Sequence, residues 1–220
     1  MPLLNPKDDY YYVISELKSL DRSKYIACLL VPRYFHAKIA SLLLIDLELK
    51  NISELNTEKN IILMKFSWWK NILNSLNTDP TPNVPVLRLL KITITEKDTI
   101  LNKLLLLVNN YEKLSLCSNK NDIEDSYLKC IVTRNDIIQE VIKIKFVDNK
   151  YKKAIHLASV SLSQIYVEKI KEGNKSIQKA KLICRRPVKK FLPLFITLSP
   201  VKKSNYMIFL RLAKGLARYW

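Results

Sequence analysis

Apolar residues recur every three or four positions along almost the whole chain, and that spacing describes amphipathic helices. Glycine narrows the choice further, because the sequence holds only Gly173 and Gly215. So few glycines argue against a sandwich or barrel with many tight turns. They also exclude a glycine-rich loop that cradles phosphates. At 220 residues and 48% hydrophobic content, the chain can bury one large core or two small ones. No segment is long or polar enough to serve as an interdomain linker, and there is no internal repeat. The sequence therefore predicts an all-α fold, one domain over residues 1–220, with about eight to ten helices.

The helices can be placed from local signals. "KDDYYYVISELKSL" reads as the first. Asp21 is a natural N-cap for "RSKYIACLLV", which Pro32 ends. Long helices follow over residues 34–55 and 58–76. "NTDPTPNVP" is the clearest loop, with three prolines in nine residues. After it come a short helix at "VLRLLKI" and a longer one at "EKDTILNKLLLLVNNYEKL". Between them "ITITEKD" alternates briefly like a strand but is too short to outvote its context. Further helices are expected at "NDIEDSYLKCIVTRNDIIQEVIKIKF", "YKKAIHLASVSLSQIYVEKIK" and "NKSIQKAKLICRR", with "SNKND" and "GN" as boundaries. Asp122 and Asp125 read as acids near a helix N-terminus. "RPVKKFLPLFITLSP" is a proline-punctuated connector. "NYMIFLRLAKGLARYW" reads as a last helix with Arg211, Lys214 and Arg218 along one side.

Charge and reactive residues bound the function. The net charge is +17. The charges are spread along the chain with no run exceeding three, which fits a solvated surface and makes nucleic acid an unexpected partner. Cys28, Cys117, Cys130 and Cys184 are widely separated, and with only His36 and His156 there is no zinc-ligand spacing. Buried free thiols in a reducing cytosol follow as the expectation. The N-terminal residues lack the basic leader and apolar core of a signal peptide. No apolar run approaches the roughly 18 residues that would span a bilayer. No G-x-S-x-G elbow exists for a nucleophilic serine, and the two histidines read as structural or surface residues.

The most distinctive local feature is the tryptophan pair in "MKFSWWKNIL". Adjacent helical residues project about 100° apart. Trp68 shares a face with Ile61, Met64, Lys65 and Ile72, and Trp69 with Ile62, Phe66, Leu73 and Leu76. A stripe that broad must be covered on more than one side. Both indoles are therefore expected to pack between helices. The alternative is that one lines a cavity for an apolar ligand.

"KYIACLLVPRYFHAKIASLLLIDLELKNISE" followed by "ILMKFSWWKNIL" resembles the squalene/phytoene synthase family. Within it, the similarity is to the branch of the mitochondrial complex I assembly factor and its bacterial relatives. That branch has a tyrosine-led helix ending in proline, then an alanine- and leucine-rich helix with an "ELA"-like turn. An "R-x-Q-W-W-R" signature follows, standing here as Lys65, Ser67, Trp68, Trp69 and Lys70. "NVPVLRLL" fits the family's "HPV" segment and "RRPVKKFLPLFI" its proline-bounded "FLPL" segment. The resemblance covers about residues 20–200 and is best at 20–95 and 150–200.

The resemblance implies an isoprenoid-synthase-like helical bundle around a central cavity. In the family's prenyltransferases, two aspartate-rich helical motifs hold magnesium ions that bind an isoprenoid diphosphate. Carboxylates suit magnesium because it is a hard, oxygen-seeking ion. Laid on the first motif, this chain places Lys50 and Glu54 where two aspartates would stand, with Asp46 one turn before them. A lysine ammonium repels a metal ion, and the three residues read as an i, i+4, i+8 ladder of alternating charge that satisfies itself. The second motif maps onto "SQIYVEKIKEG", offering Glu168 and Glu172 among Lys169 and Lys171. No catalytic or metal-binding residue emerges. The resemblance then implies a non-catalytic protein with no cofactor. It would assist assembly of a respiratory complex, be cytoplasmic or peripheral to the inner membrane, and contact a complex subunit or an anionic membrane surface. The basic tail helix suits such a surface. The alternative is a prenyltransferase acting on an isoprenoid diphosphate through a degenerate magnesium site.

Overall fold

A computed structural model describes residues 6–76, 83–94, 97–143 and 149–184. Nine α-helices lie among them: α1 (Pro6–Leu20), α2 (Arg22–Leu29), α3 (His36–Ser53), α4 (Lys59–Asn74), α5 (Pro85–Thr93), α6 (Lys97–Leu116), α7 (Lys120–Val141), α8 (Asn149–Tyr166) and α9 (Ile170–Ile183). A single 3-10 turn, Arg33–Phe35, leads into α3. The described residues contain no strand, so the alternation in "ITITEKD" did not prevail; part of that stretch, the loop after Leu76, the "FLPL" segment and the basic tail lie outside them.

Local chemistry explains the helix starts. Asp21 Oδ1 accepts from the backbone N–H of Ser23 and Lys24 at 2.9 and 3.1 Å, capping α2 as expected. Asn119 does the same for α7, accepting from Asp122 N at 2.8 Å. Pro85 occupies the first turn of α5, where its missing N–H costs nothing.

The core is organised around α3. Its residues from Ile39 to Leu47 are all buried, together with Leu49. A helix buried on every face must be surrounded, and α3 packs against α1, α2, α4, α5, α6 and α7. Phe66, Trp69 and Leu73 of α4, Leu87 and Leu90 of α5, and Leu104, Val108 and Tyr111 of α6 close around it. Among the described residues no helix is long and apolar enough to cross a membrane.

The last two helices correct the sequence reading. The helix expected over residues 151–171 stops at Tyr166, and α9 starts at Ile170. Glu168 turns the chain with φ of 68°, the left-handed region that L residues with a Cβ seldom adopt. Gly173, expected at a boundary, instead lies inside α9. A Cβ there would meet Ile165 Cγ1 at 2.5 Å and Ser161 O at 3.0 Å, so glycine permits the close approach of α8 and α9. Ser161 Oγ donates to Gly173 O at 2.7 Å across that contact. Helix α7 is also shorter than expected and ends at Val141.

Candidate site: a buried charge cluster on the central helix

Asp46 sits at the middle of α3 with no solvent exposure. A buried carboxylate is tolerable only with several partners. Tyr111 Oη on α6 donates to Oδ1 at 2.8 Å, and Arg134 Nη1 on α7 donates to Oδ2 at 3.3 Å. Lys24 Nζ on α2 lies 3.5 Å from Oδ2 and also pairs with Asp21 at 3.2 Å. One carboxylate thus ties α3 to α2, α6 and α7. Burial alone would raise the Asp46 carboxyl, but Arg134 and Lys24, with the Tyr111 hydrogen bond, hold it below the usual aspartate range. The same burial, together with the Asp46 charge, pushes the Tyr111 hydroxyl well up, so it stays a neutral donor.

Polar neighbours extend the cluster. Arg134 Nη2 donates to Asn135 Oδ1 at 3.4 Å, and Asn135 Nδ2 donates to Ser159 Oγ of α8 at 3.3 Å. Asn110 of α6 donates to Thr133 of α7 at 3.0 Å. Cys28 and Cys130 are buried nearby in the core, and burial raises both thiols, Cys28 to about 12. Such thiols are inert as nucleophiles.

One turn further along α3, Lys50 Nζ lies 2.9 Å from Glu54 Oε1 and 3.0 Å from Oε2. It also stands 5.8 Å over the ring of Tyr166, which stacks on Tyr127 at 4.0 Å. Burial, with a hydrogen bond to Glu54, raises the Tyr166 hydroxyl. The expected ladder is therefore incomplete. Lys50 pairs with Glu54 alone, and Asp46 turns inward to cations from α2 and α7. The reason is depth. Asp46 is at the centre of the bundle, where only residues from other helices surround it.

The second acidic pair is not a helical i, i+4 pair, because the helix breaks between its members. Glu168 is exposed in the turn and reaches Lys120 at 3.1 Å, while Glu172 is exposed in the first turn of α9. Lys169 bridges instead to Glu124 of α7 at 2.6 Å.

These residues do not fit magnesium. The only fully buried carboxylate of the set faces a guanidinium and an ammonium, and Glu54 is held by Lys50. Among the described residues no three His, Cys, Asp or Glu side chains converge on a common point.

The tryptophan signature divides. Trp69 is 2% exposed and packs on the core, as expected. Trp68 is 46% exposed, which corrects the expectation that both indoles are covered. Their rings meet edge to face at 5.2 Å. Trp68 and the exposed Met64 line an open groove of ≈ 530 Å³ with Asn60, Leu63, Ser67 and Asn71. Lys65 is exposed, and Lys70 pairs with Glu112 of α6 at 2.6 Å. His36 is structural, its Nε2 lying 2.8 Å from Val31 O, and His156 is exposed.

Sequence reasoning missed Lys24, Tyr111 and Arg134. Each lies inside an amphipathic helix at a position that gives no sign of its partner. The one available signal was the polar run over residues 133–136 with Arg134 inside it, set between apolar residues in "CIVTRNDII". A helical bundle built on a self-neutralised buried charge cluster is the class this geometry defines. The chain matches no family model, no curated protein and no solved structure.

Proposed function

We propose that this chain is a non-catalytic squalene/phytoene synthase-like protein, an isoprenoid-synthase-type bundle that assists assembly of a respiratory complex at the membrane. The observation that carries the reading is the occupation of Asp46. This carboxylate, one turn before the two aligned positions, is already bound by Arg134, Lys24 and Tyr111, and Glu54, standing where the motif has an aspartate, is held by Lys50. Freeing Asp46 for a metal would leave the Arg134 guanidinium buried without a counter-charge and Lys24 with Asp21 alone, at a cost of about 3–5 kcal/mol for breaking such a pair. The exposed Ile61, Met64 and Trp68 on α4 suit a scaffold that contacts other proteins, since apolar side chains grouped on a surface mark interaction sites. The natural partner in this reading is a respiratory-complex subunit, met on the face of the inner membrane.

The alternative, a prenyltransferase, needs magnesium-dependent release of diphosphate from farnesyl or geranylgeranyl diphosphate. Purified protein should show none. Disrupting the gene should lower the amount of assembled respiratory complex on native gels. Assembly should return with the wild-type chain and equally with Glu54→Gln, which removes a motif carboxylate. Magnesium-dependent turnover, or failure of Glu54→Gln to restore assembly while folding normally, would reject the reading.

A further inference from the structure

Although no run of like charge exceeds three, the even spread expected above does not hold for the net charge, which is strongly segregated. Residues 1–148 carry 20 Lys and Arg against 18 Asp and Glu, whereas residues 149–220 carry 17 against 2. The described part of this basic third is the α8–α9 hairpin. It holds eight lysines, and its two acids are Glu168 and Glu172, both at the turn.

The register of the hairpin decides where the lysines gather. The short turn between Tyr166 and Ile170 makes the two helices antiparallel, and Ser161 Oγ, donating to Gly173 O, sets their register. Extending that register sets Lys152, Lys153 and His156 level with Lys179, Lys181 and Leu182. All six are exposed. The acids are at the opposite end, where Glu168 is engaged by Lys120. Asp136 of α7 feels Lys152, which leaves Lys153, Lys179 and Lys181 with no ion pair among the described residues. Lys171 and Lys175 continue the row along α9 at four-residue spacing.

The geometry points to the open end of the α8–α9 hairpin as a docking face for an anionic lipid surface. This rests on the membrane-peripheral reading above and gives it a location. Charge complementarity is the first argument, because clustered lysines near an anionic bilayer each contribute about 1 kcal/mol of attraction. The composition of the face is the second. It offers lysine point charges, with no arginine fork among the six residues. Leu182, 65% exposed among the lysines, adds an apolar contact that a bilayer surface accepts and a phosphodiester backbone does not use.

The test is co-sedimentation of the full chain with phosphatidylcholine vesicles, with and without phosphatidylserine. The wild-type chain should bind only the serine-containing vesicles, and added salt should release it. At roughly fivefold per lysine, the triple variant Lys153→Gln, Lys179→Gln, Lys181→Gln should bind at least tenfold more weakly. The same change at three exposed lysines elsewhere, Lys59, Lys113 and Lys129, should cost less than about threefold. Equal losses in the two variants, or binding to neutral vesicles, would overturn the assignment. So would duplex DNA or RNA binding that depends on Lys153, Lys179 and Lys181 without vesicle binding. Vesicle binding can fail while gene disruption still lowers complex assembly, so the two proposals fall separately.

Discussion

The Arg134 guanidinium lies 3.3 Å from the Asp46 carboxylate, and the two residues are 88 positions apart in sequence. That contact joins the central helix to α7 through charges that water does not reach. Asp46→Ala would leave Arg134 buried without its counter-charge and Lys24 with Asp21 alone. It should cost about 3–5 kcal/mol, read as a lower denaturant midpoint with an unchanged slope. A loss below about 1 kcal/mol, the range of an exposed pair, would show that solvent reaches the cluster.

The tryptophans should separate in the same measurement. Trp69→Ala removes a fully packed indole and should cost about 3–5 kcal/mol. Trp68→Ala loses half-exposed surface and one edge-to-face contact, about 1 kcal/mol. Equal losses would mean that Trp68 is covered in solution.

Two carboxylates give opposite pH signatures. Asp46 is held below its unfolded value, so it stabilises the fold above about pH 4 and loses that contribution as pH falls through its folded value. Glu48 is raised, first by burial and then by the charge of Glu16. A raised carboxyl penalises the folded state once both states are ionised. Glu48→Gln should therefore raise the melting temperature at neutral pH, and the gain should vanish below about pH 4. A gain that persists in acid would point to packing instead of ionisation.

Gly173→Ala should destabilise by about 1–3 kcal/mol, because the new methyl meets Ile165 and the Ser161 carbonyl. Asn174→Ala, on the exposed side of the same turn, should stay within about 0.5 kcal/mol. Thermal melts of both variants check this. A neutral Gly173→Ala would mean that α8 and α9 pack less closely.

Much of the helix order was legible because its signals are local. Asp21 announces the start of α2 through its own side chain, and the apolar spacing of Ile62, Phe66, Trp69 and Leu73 identifies the buried face of α4. Trp68 was not legible, because an indole looks equally apolar whether or not another helix lies over it. The break after Tyr166 carries no proline or glycine, and the glycine that follows serves packing instead of the turn. Asp46 was noticed for its neighbours on α3, but its partners come from α2, α6 and α7. Charge segregation was readable from composition alone by comparing the two parts of the chain. What the sequence could not show was the hairpin register that collects the lysines at one end.

The most direct test of the buried cluster is a double-mutant cycle with Asp46→Asn and Arg134→Met, followed by chemical denaturation. If the two charges hold each other, the double variant should be less damaged than the sum of the singles, with a coupling of about 1–3 kcal/mol. Losses that add to within about 0.5 kcal/mol would contradict the account, leaving the Asp46 carboxylate free of Arg134.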